Sequence, residues 1–539
     1  MIIIYRIMKK HMKKYVWLAI VGVGVLCIAI FYYVFVYRLT CDLNGWTLTI
    51  SGKEKMPDYS YFNDKIAPWN YKHPHIKDFF TAEVHNVIIK EGVTRIGNYA
   101  FKNCPYLEHV TIPSSVTEIG DSAFYDCINL NSVDITDLEA WCKIDFGNYY
   151  ANPLSQALHF CLSGKEVNDL VIPDGVTKIG DYAFAGYSGI TSVTIPSSVE
   201  KIGYGAFKGC SGLTSITIPS SVKYIGDYAF AGCFGLTSIT IPSSVKEIRT
   251  CAFVGCTGLT SVHITDLLSW CRIDFDTFFS DSYSDEYRGE YANPLYNAKH
   301  LYLNGKEIHD LVIPNGTTEI KRHAFEGCSG LKSVTIPASV KKIGHGAFSG
   351  CSSLKSITIP KSVKVIRTGA FAGCTSLTSV TIPSSVKEIG EYAFGWCDSL
   401  KSVHITDIES WCKIDFGNEK SNPLYYAEHL YLNGKEIDDL VIPNGVTKIG
   451  NYAFYFCSGL KSVTIPSSVK EIGYGTFSSC SGLRSIECWA KNPPLFYDDS
   501  YYDSFHGVEE SIPVYVPTIS IDKYKYNSNW YKFNIRAIK

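Results

Sequence analysis

Neither sign of charge dominates this 539-residue sequence: 50 Lys and Arg face 52 Asp and Glu, the formal net charge is −2, and charged residues make up 19%. Without a polybasic face to announce it, nucleic acid is not an expected partner. The short motifs of common catalysis are missing as well. No G-x-G-x-x-G follows a strand, and there is no P-loop, G-x-S-x-G or H-E-x-x-H. Dinucleotide, nucleoside triphosphate, serine-hydrolase and zincin chemistry therefore lack their signatures. Nineteen cysteines are present but no C-x2-C pair, and metal sites need ligands clustered in that manner. The expectation is a protein that is not an enzyme and has no cofactor or metal.

What the sequence has is a period. Residues 214–233 read TSITIPSSVKYIGDYAFAGC and residues 237–256 read TSITIPSSVKEIRTCAFVGC. The Ile of the I-P pair, or its equivalent, recurs at 23-residue steps, as in Ile172, Ile195, Ile218 and Ile241, with three longer steps of 37, 49 and 37. Self-similarity at this period marks a solenoid, in which each unit buries its apolar side against its neighbours. A chain of this length then needs no division into many domains.

One repeat can be read residue by residue. In LTSITIPSSVKYIGDYAFAGC (213–233), Ser215–Ile218 alternates and is β-branched, so it predicts a short strand. Pro219 cannot donate to a ladder and ends it. Val222 and Ile225 return to the interior, Gly226 relaxes a bend, and DYAF predicts a short helical or 3-10 arc with Ala229 and Phe230 inward. Successive strands then stack into one long parallel sheet about 4.8 Å apart. Eleven of the cysteines share one slot, from Cys104 and Cys127 to Cys457 and Cys480. Repetition argues for architecture rather than a nucleophile, and parallel side chains at the coil spacing stand too far apart for a disulfide. Reduced, buried, apolar thiols are expected.

The three long steps carry a second motif. They begin ITDLEAWCKIDF (135–146), ITDLLSWCRIDF (264–275) and ITDIESWCKIDF (405–416), and each runs on to a hairpin signal such as LHFCLSGKEV or HLYLNGKEI. Asn304-Gly305 and Asn433-Gly434 are strong two-residue turn sequences. Each insertion is read as a helical arc, a loop and a hairpin. Cys142, Cys271 and Cys412 tempt as nucleophiles, but no His stands consistently beside all three, and packing is the expected role. The middle insertion is longer: residues 276–291 place Phe278, Phe279, Tyr283, Tyr287 and Tyr291 among acidic residues. A long aromatic loop on a rigid scaffold is a candidate recognition element; a calcium loop lacks the strict ligand spacing, and an unconstrained loop stands as the bland alternative.

The N-terminus carries an uncharged run of 23 residues, Tyr15–Tyr37, preceded by Lys9, Lys10, Lys13 and Lys14. As a helix it spans roughly 34 Å, enough for a bilayer core. The lysines place residues 1–14 in the cytoplasm and the repeats outside. A cleaved signal peptide would have a shorter apolar region and a small-residue cleavage site, so an uncleaved signal-anchor is expected.

The pattern L-x-x-[VI]-x-I with spaced aliphatics and a Cys resembles leucine-rich repeats. The wording VTIPSSVKEIGDYAF..C is similar to the BspA-like subfamily of bacterial surface leucine-rich repeat proteins, from about Cys41 to the end. The opening GWTLTISGKEKMPDYS and the closing NPPLF and IPVYVPTISIDKYKYNSNWYKF belong to the match. One departure is that no Asn follows the strand, so the Asn ladder's hydrogen bonds fall to other groups, the Ser pairs at 220–221 and their counterparts. The expected architecture is an α/β-type solenoid behind one N-terminal transmembrane helix. It comprises a tail (1–14), anchor (15–37), linker and N-terminal cap (38–80), repeats (81–488, with insertions near 136–162, 265–303 and 406–432) and C-terminal cap (489–539). Pro513 and Pro517 are expected to blunt pairing beyond a last strand at 512–517, with a short helix over 520–533 covering it.

Outward positions of the strands are Thr, Ser and Lys, among them Thr217, Thr240, Thr335, Thr358 and Thr381, with His263 and His404 at two equivalent places. Such a hydroxyl-rich ribbon suits broad contact better than a small-molecule pocket. The resemblance implies a membrane-anchored surface binding protein, adhesin-like, with an extracellular protein or glycan ligand, since relatives are associated with host matrix proteins and bacterial coaggregation. A spacer or envelope scaffold is the alternative from another class, and a secreted hydrolase with a site in the middle insertion is a third.

Overall fold

The computed structural model describes residues 39–60, 67, 69, 83–275, 292–496 and 503–538. The predicted anchor at 15–37 and the loop at 276–291 lie outside them. No helix among the described residues is long and apolar enough to cross a membrane. The chain divides into two compact units, the first running to Leu259 and the second taking in Thr260–Phe275 and Leu295 onward.

Each ordinary repeat makes two strands rather than one. In the first unit, main strands such as Ser192–Thr194, Ser215–Thr217 and Ser238–Ile241 pair in parallel with Ser over Ser and Thr over Thr. Val193, Ile216 and Ile239 point inward and are buried. After the turn closed by Val222 N–H to the Pro219 carbonyl (3.1 Å), a two-residue strand, Tyr224–Ile225, joins a second parallel ladder with Lys201–Ile202 and Glu247–Ile248. Gly226 is required by close approach, because a Cβ there would lie 2.7 Å from the Gly203 carbonyl.

The predicted arc at DYAF is a run of turns and not a helix. The N–H groups of Tyr228 and Phe230 donate to Thr250 and Ala252 of the next coil (3.0 and 2.8 Å) instead of to their own turn, and Tyr228 takes φ +56°. All three sides of the coil therefore stack through hydrogen bonds between repeats. Short α-helices occur in the insertions, at Leu138–Cys142, Leu267–Trp270 and Ile408–Trp411. Each is N-capped by an Asp whose carboxylate accepts from the backbone of the third residue on: Asp137, Asp266 and Asp407.

The single long sheet expected from the repeat is also corrected. In the first unit the sheet that starts at Leu39–Asn44 ends in the antiparallel hairpin His159–Leu162 with Lys165–Glu166, and a new sheet begins at Asp169–Val171. In the second unit a sheet from Asp310–Val312 ends in the hairpin Leu430–Leu432 with Lys435–Glu436, and another begins at Asp439–Val441. The antiparallel return occupies the edge that the next coil would have used. The turns are as read: Asn304 and Gly305 adopt φ +50° and +82°, and Asn433 and Gly434 +50° and +85°, the mirror-image turn that suits hairpin twist.

Inside, the repeated Phe residues form stacked columns. Phe184, Phe207, Phe230 and Phe253 lie 5.3–5.5 Å apart at interplanar angles of 3–13°. Phe325, Phe348, Phe371 and Phe394 repeat the arrangement in the second unit. The missing Asn ladder is replaced twice over. In the first unit the second Ser of the pair donates to the carbonyl of the preceding coil, as Ser221 does to Val199 (2.7 Å) and Ser244 to Val222 (2.7 Å), whereas the equivalent hydroxyls of Ser362 and Ser385 in the second unit are buried without a partner. The slot cysteines supply a second row: Cys210, Cys233 and Cys256 donate to the carbonyls of Phe184, Phe207 and Phe230 at 3.1–3.2 Å.

At the C-terminal end two expectations change. Pro513–Val516 does not close the sheet, since Asn534–Ala537 pairs beyond it in parallel. The helix covers only Ile521–Lys525. Beyond it, Trp530 is fully buried, packs on Phe496 and Phe505, and donates its indole N–H to the Pro494 carbonyl (2.9 Å).

Candidate contact surface

Period-two alternation puts one side chain in two outside, and the register of the ladders lines those side chains into rows. Thr194, Thr217 and Thr240 form one row in the first unit. In the second, Thr335, Thr358 and Thr381 stack in register and lead to His404. Thr217, Thr335 and Thr358 are exposed, and Thr240 and Thr381 half-buried. The row of Ser beside them is tied to its first strand by carboxylates: Asp310 accepts from Ser333, and Asp439 from Ser462 (2.6 Å).

The two histidines are not free side chains. His263 stacks on Tyr302 (centroids 4.8 Å) and His404 on Tyr431 (4.9 Å), each from the neighbouring strand, and both reach a Ser hydroxyl at 3.1 Å, Ser261 and Ser402. In the second unit the row Thr335–Thr358–Thr381 thus ends against an aromatic step. An imidazole–carboxylate pair stands at each insertion hairpin: His159 with Glu166 (2.7 Å), His300 with Glu307 and His429 with Glu436 (both 2.6 Å). Sequence reasoning missed Tyr302, Tyr431 and these pairs. The signal is present, because HLYLNGKE writes His, Tyr and Glu at fixed spacing, but the Asn-Gly turn dominates that stretch. The five aromatic candidates of the middle insertion, Phe278, Phe279, Tyr283, Tyr287 and Tyr291, lie outside the described residues.

The tempting cysteines are packing groups. Cys142, Cys271 and Cys412 are buried, and desolvation pushes each thiol up to about 12, the reverse of what a thiolate nucleophile requires. Their neighbours Trp141, Trp270 and Trp411 each clasp the following coil, donating an indole N–H to the carbonyls of Ala183, Ala324 and Ala453 at 2.8–2.9 Å. Asn152 and Asn422, fully buried, donate to the same carbonyls of Ala183 and Ala453 (3.0 Å). These contacts explain why the motif recurs. A cleft of about 450 Å3 opens beside the first insertion, lined by Lys143, Asp145, Thr177, Lys178 and Asp181 among others. Lys178 and Asp181 neutralise each other there at 3.1 Å. No group of three His, Cys, Asp or Glu among the described residues is placed to hold a metal ion.

The slot cysteines are free thiols. Burial pushes Cys104, Cys256, Cys328, Cys397 and Cys457 up to about 12. At pH 8 they stay protonated and enclosed, so a thiol reagent should label few of them in the folded chain. After unfolding without reductant, nearly all should react. Recovery of only a small fraction would mean that they are oxidised.

A family model described as BspA type Leucine rich repeat region (6 copies) matches residues 76–150, 158–283, 298–421 and 427–535. Among solved structures, a leucine-rich repeat protein from Bacteroides ovatus is 27% identical, with 68% of this chain and 92% of that one covered and a TM-score of 0.39. A leucine rich cell surface protein from Faecalibacterium prausnitzii is 26% identical, with 70% and 95% covered and a TM-score of 0.35. The pneumococcal vaccine antigen PcpA is 18% identical, with 93% and 96% covered and a TM-score of 0.35. No curated protein matches the chain.

Proposed function

The chain belongs to the BspA-type leucine-rich repeat family, and from that premise we propose that it is a surface binding protein, adhesin-like, whose main-strand rows contact an extracellular protein. The observation that carries this is the in-register row Thr335–Thr358–Thr381 ending on the stacked pair His404–Tyr431. A row of short hydroxyls at one-coil spacing is flat, polar and sterically open, and an aromatic step at its end supplies rigid contact area of the kind enriched in interface cores. Nothing in it converges on a reacting atom, which favours binding over catalysis. The uncharged run at 15–37 behind four lysines supports a single-pass anchor with a cytoplasmic N-terminus and extracytoplasmic repeats.

A triple substitution, Thr335→Lys, Thr358→Lys and Thr381→Lys, places bulk and charge along the row without touching an inward residue. Captured on a panel of purified extracellular-matrix proteins, residues 41–539 should bind at least one, and the triple variant should bind it at least tenfold more weakly while still melting cooperatively, a little lower because like charges then face one another across the strands. Equal binding by the variant would remove the row from the interface. Binding to no member of the panel would favour the spacer reading.

A further inference from the structure

The balanced charge of the whole chain conceals a local excess. Between Lys321 and Lys387 there are ten Lys or Arg and one carboxylate, Glu326, which is buried against His323 at 2.8 Å. Four of the ten are neutralised from outside the segment: Lys321 and Lys342 by Glu319, Arg322 by Asp274 and Arg367 by Glu388. Three of the remainder form a column. Lys364 N–H donates to the Lys341 carbonyl (2.9 Å) and Lys387 N–H to the Lys364 carbonyl (2.8 Å), so these residues sit directly above one another on successive coils. Lys361 lies one turn before Lys364 in the same coil. All four side chains are exposed, and among the described residues none has a carboxylate within 4.0 Å. Lys387 makes one long contact, to the Ser384 carbonyl at 3.4 Å.

The same column in the first unit is built differently. There Thr177, Glu200, Lys223 and Lys246 stack by the same backbone bonds, and Lys223 is paired with Glu200 at 2.9 Å. In the second unit the column continues to Asp415, whose N–H donates to the Lys387 carbonyl (2.9 Å), and before it Lys341, Lys364 and Lys387 stand as like charges on successive coils, which repel one another. We propose that Lys341, Lys361, Lys364 and Lys387 form a binding site for a linear sulfated glycan, separate from the threonine rows.

Charge complementarity sets the ligand. Ammonium groups repeating at the coil spacing of about 4.8 Å present a straight line of point charges, which matches anionic groups strung along an extended chain. Lysine offers no bidentate fork to impose the planar geometry of one phosphate or carboxylate. Stacked bases are disfavoured because the column has no aromatic partner: PASVKK (337–342), PKSVKVIR (360–367) and PSSVKEI (383–389) contain no Phe, Tyr or Trp.

The test uses the full chain against immobilised heparin, with neutral dextran and a single-stranded DNA oligonucleotide of equal charge as comparison probes. Heparin should bind, dextran should not, and affinity should fall steeply with salt because bound counterions are released. The quadruple variant K341Q/K361Q/K364Q/K387Q should bind heparin at least tenfold more weakly and with a flatter salt dependence. A control variant with three hairpin lysines replaced, K165Q/K306Q/K435Q, should bind as the parent does. Undiminished heparin binding by the quadruple variant, or no binding by the parent, overturns the proposal. Tighter binding of the DNA than of heparin overturns the assignment to a glycan.

Discussion

Replacing Phe230 with alanine should cost about 3–5 kcal/mol of stability, and replacing Cys233 with alanine about 1 kcal/mol. The two residues are three apart in the same coil and equally buried, so the contrast isolates what each contributes. Phe230 is stacked on both sides, on Phe207 at 5.5 Å and on Phe253 at 5.3 Å. Its removal opens a cavity between two rings that the hydrogen-bonded coils cannot close up. Cys233 loses a small apolar atom and one weak donor to the Phe207 carbonyl. Denaturant unfolding of residues 41–539 measures both. Equal losses would show that the column of rings is not the structural spine.

The second large effect is at the C-terminal end. Ending the chain at Trp489 should make it aggregate or melt early, by more than any single substitution does. Terminal coils of a solenoid expose an apolar face and an unpaired edge. Here Phe505 stacks on Phe477 at 5.3 Å, Val514 pairs with Ile486, and the Tyr524 hydroxyl lies 3.2 Å from the Cys488 thiol. Phe505, Tyr524, Trp530 and Phe533 are all buried, and each such side chain contributes roughly 1.5–3 kcal/mol. Thermal melts of the full and shortened forms decide the matter, and an equally stable, soluble shortened form would release these aromatics for recognition.

Much of this architecture is legible from the repeat. The 23-residue step, the alternating Ser-Ile-Thr strand, the inward Phe and Cys and the Asn-Gly hairpins follow from periodicity and turn chemistry, and the structure keeps each of them. Three features escape for physical reasons. A two-residue strand such as Tyr224–Ile225 shows one inward residue and no alternation, so it reads as a turn until its neighbours supply hydrogen bonds. DYAF turns Ala229 and Phe230 inward together, which reads as a tight arc, yet the N–H groups of Tyr228 and Phe230 have better partners one coil away, in Thr250 and Ala252. Pro513 stops donation from one residue only, and the remaining backbone of Pro513–Val516 still accepts a parallel neighbour.

The contact surface was legible to a different degree. Outward Thr positions follow from the period, because inward and outward alternate. The stacking of His404 on Tyr431 does not, since it joins residues 27 positions apart across an insertion of irregular length. The lysine column was hidden by averaging: a net charge of −2 says nothing about Lys341, Lys364 and Lys387 standing on consecutive coils.

Hydroxyl-radical footprinting tests the central claim, that the main-strand rows are where the partner docks. The rows carry their own reporters, the reactive rings of His263, Tyr302, His404 and Tyr431. Tyr125 and Tyr204, exposed in the DYAF-type turns, serve as internal controls. In complex with a matrix protein that residues 41–539 capture, oxidation at one or both His–Tyr pairs should drop several-fold while Tyr125 and Tyr204 react as before. Unchanged oxidation at all four row reporters, with protection at the turn tyrosines instead, would place the partner on another face and contradict the account.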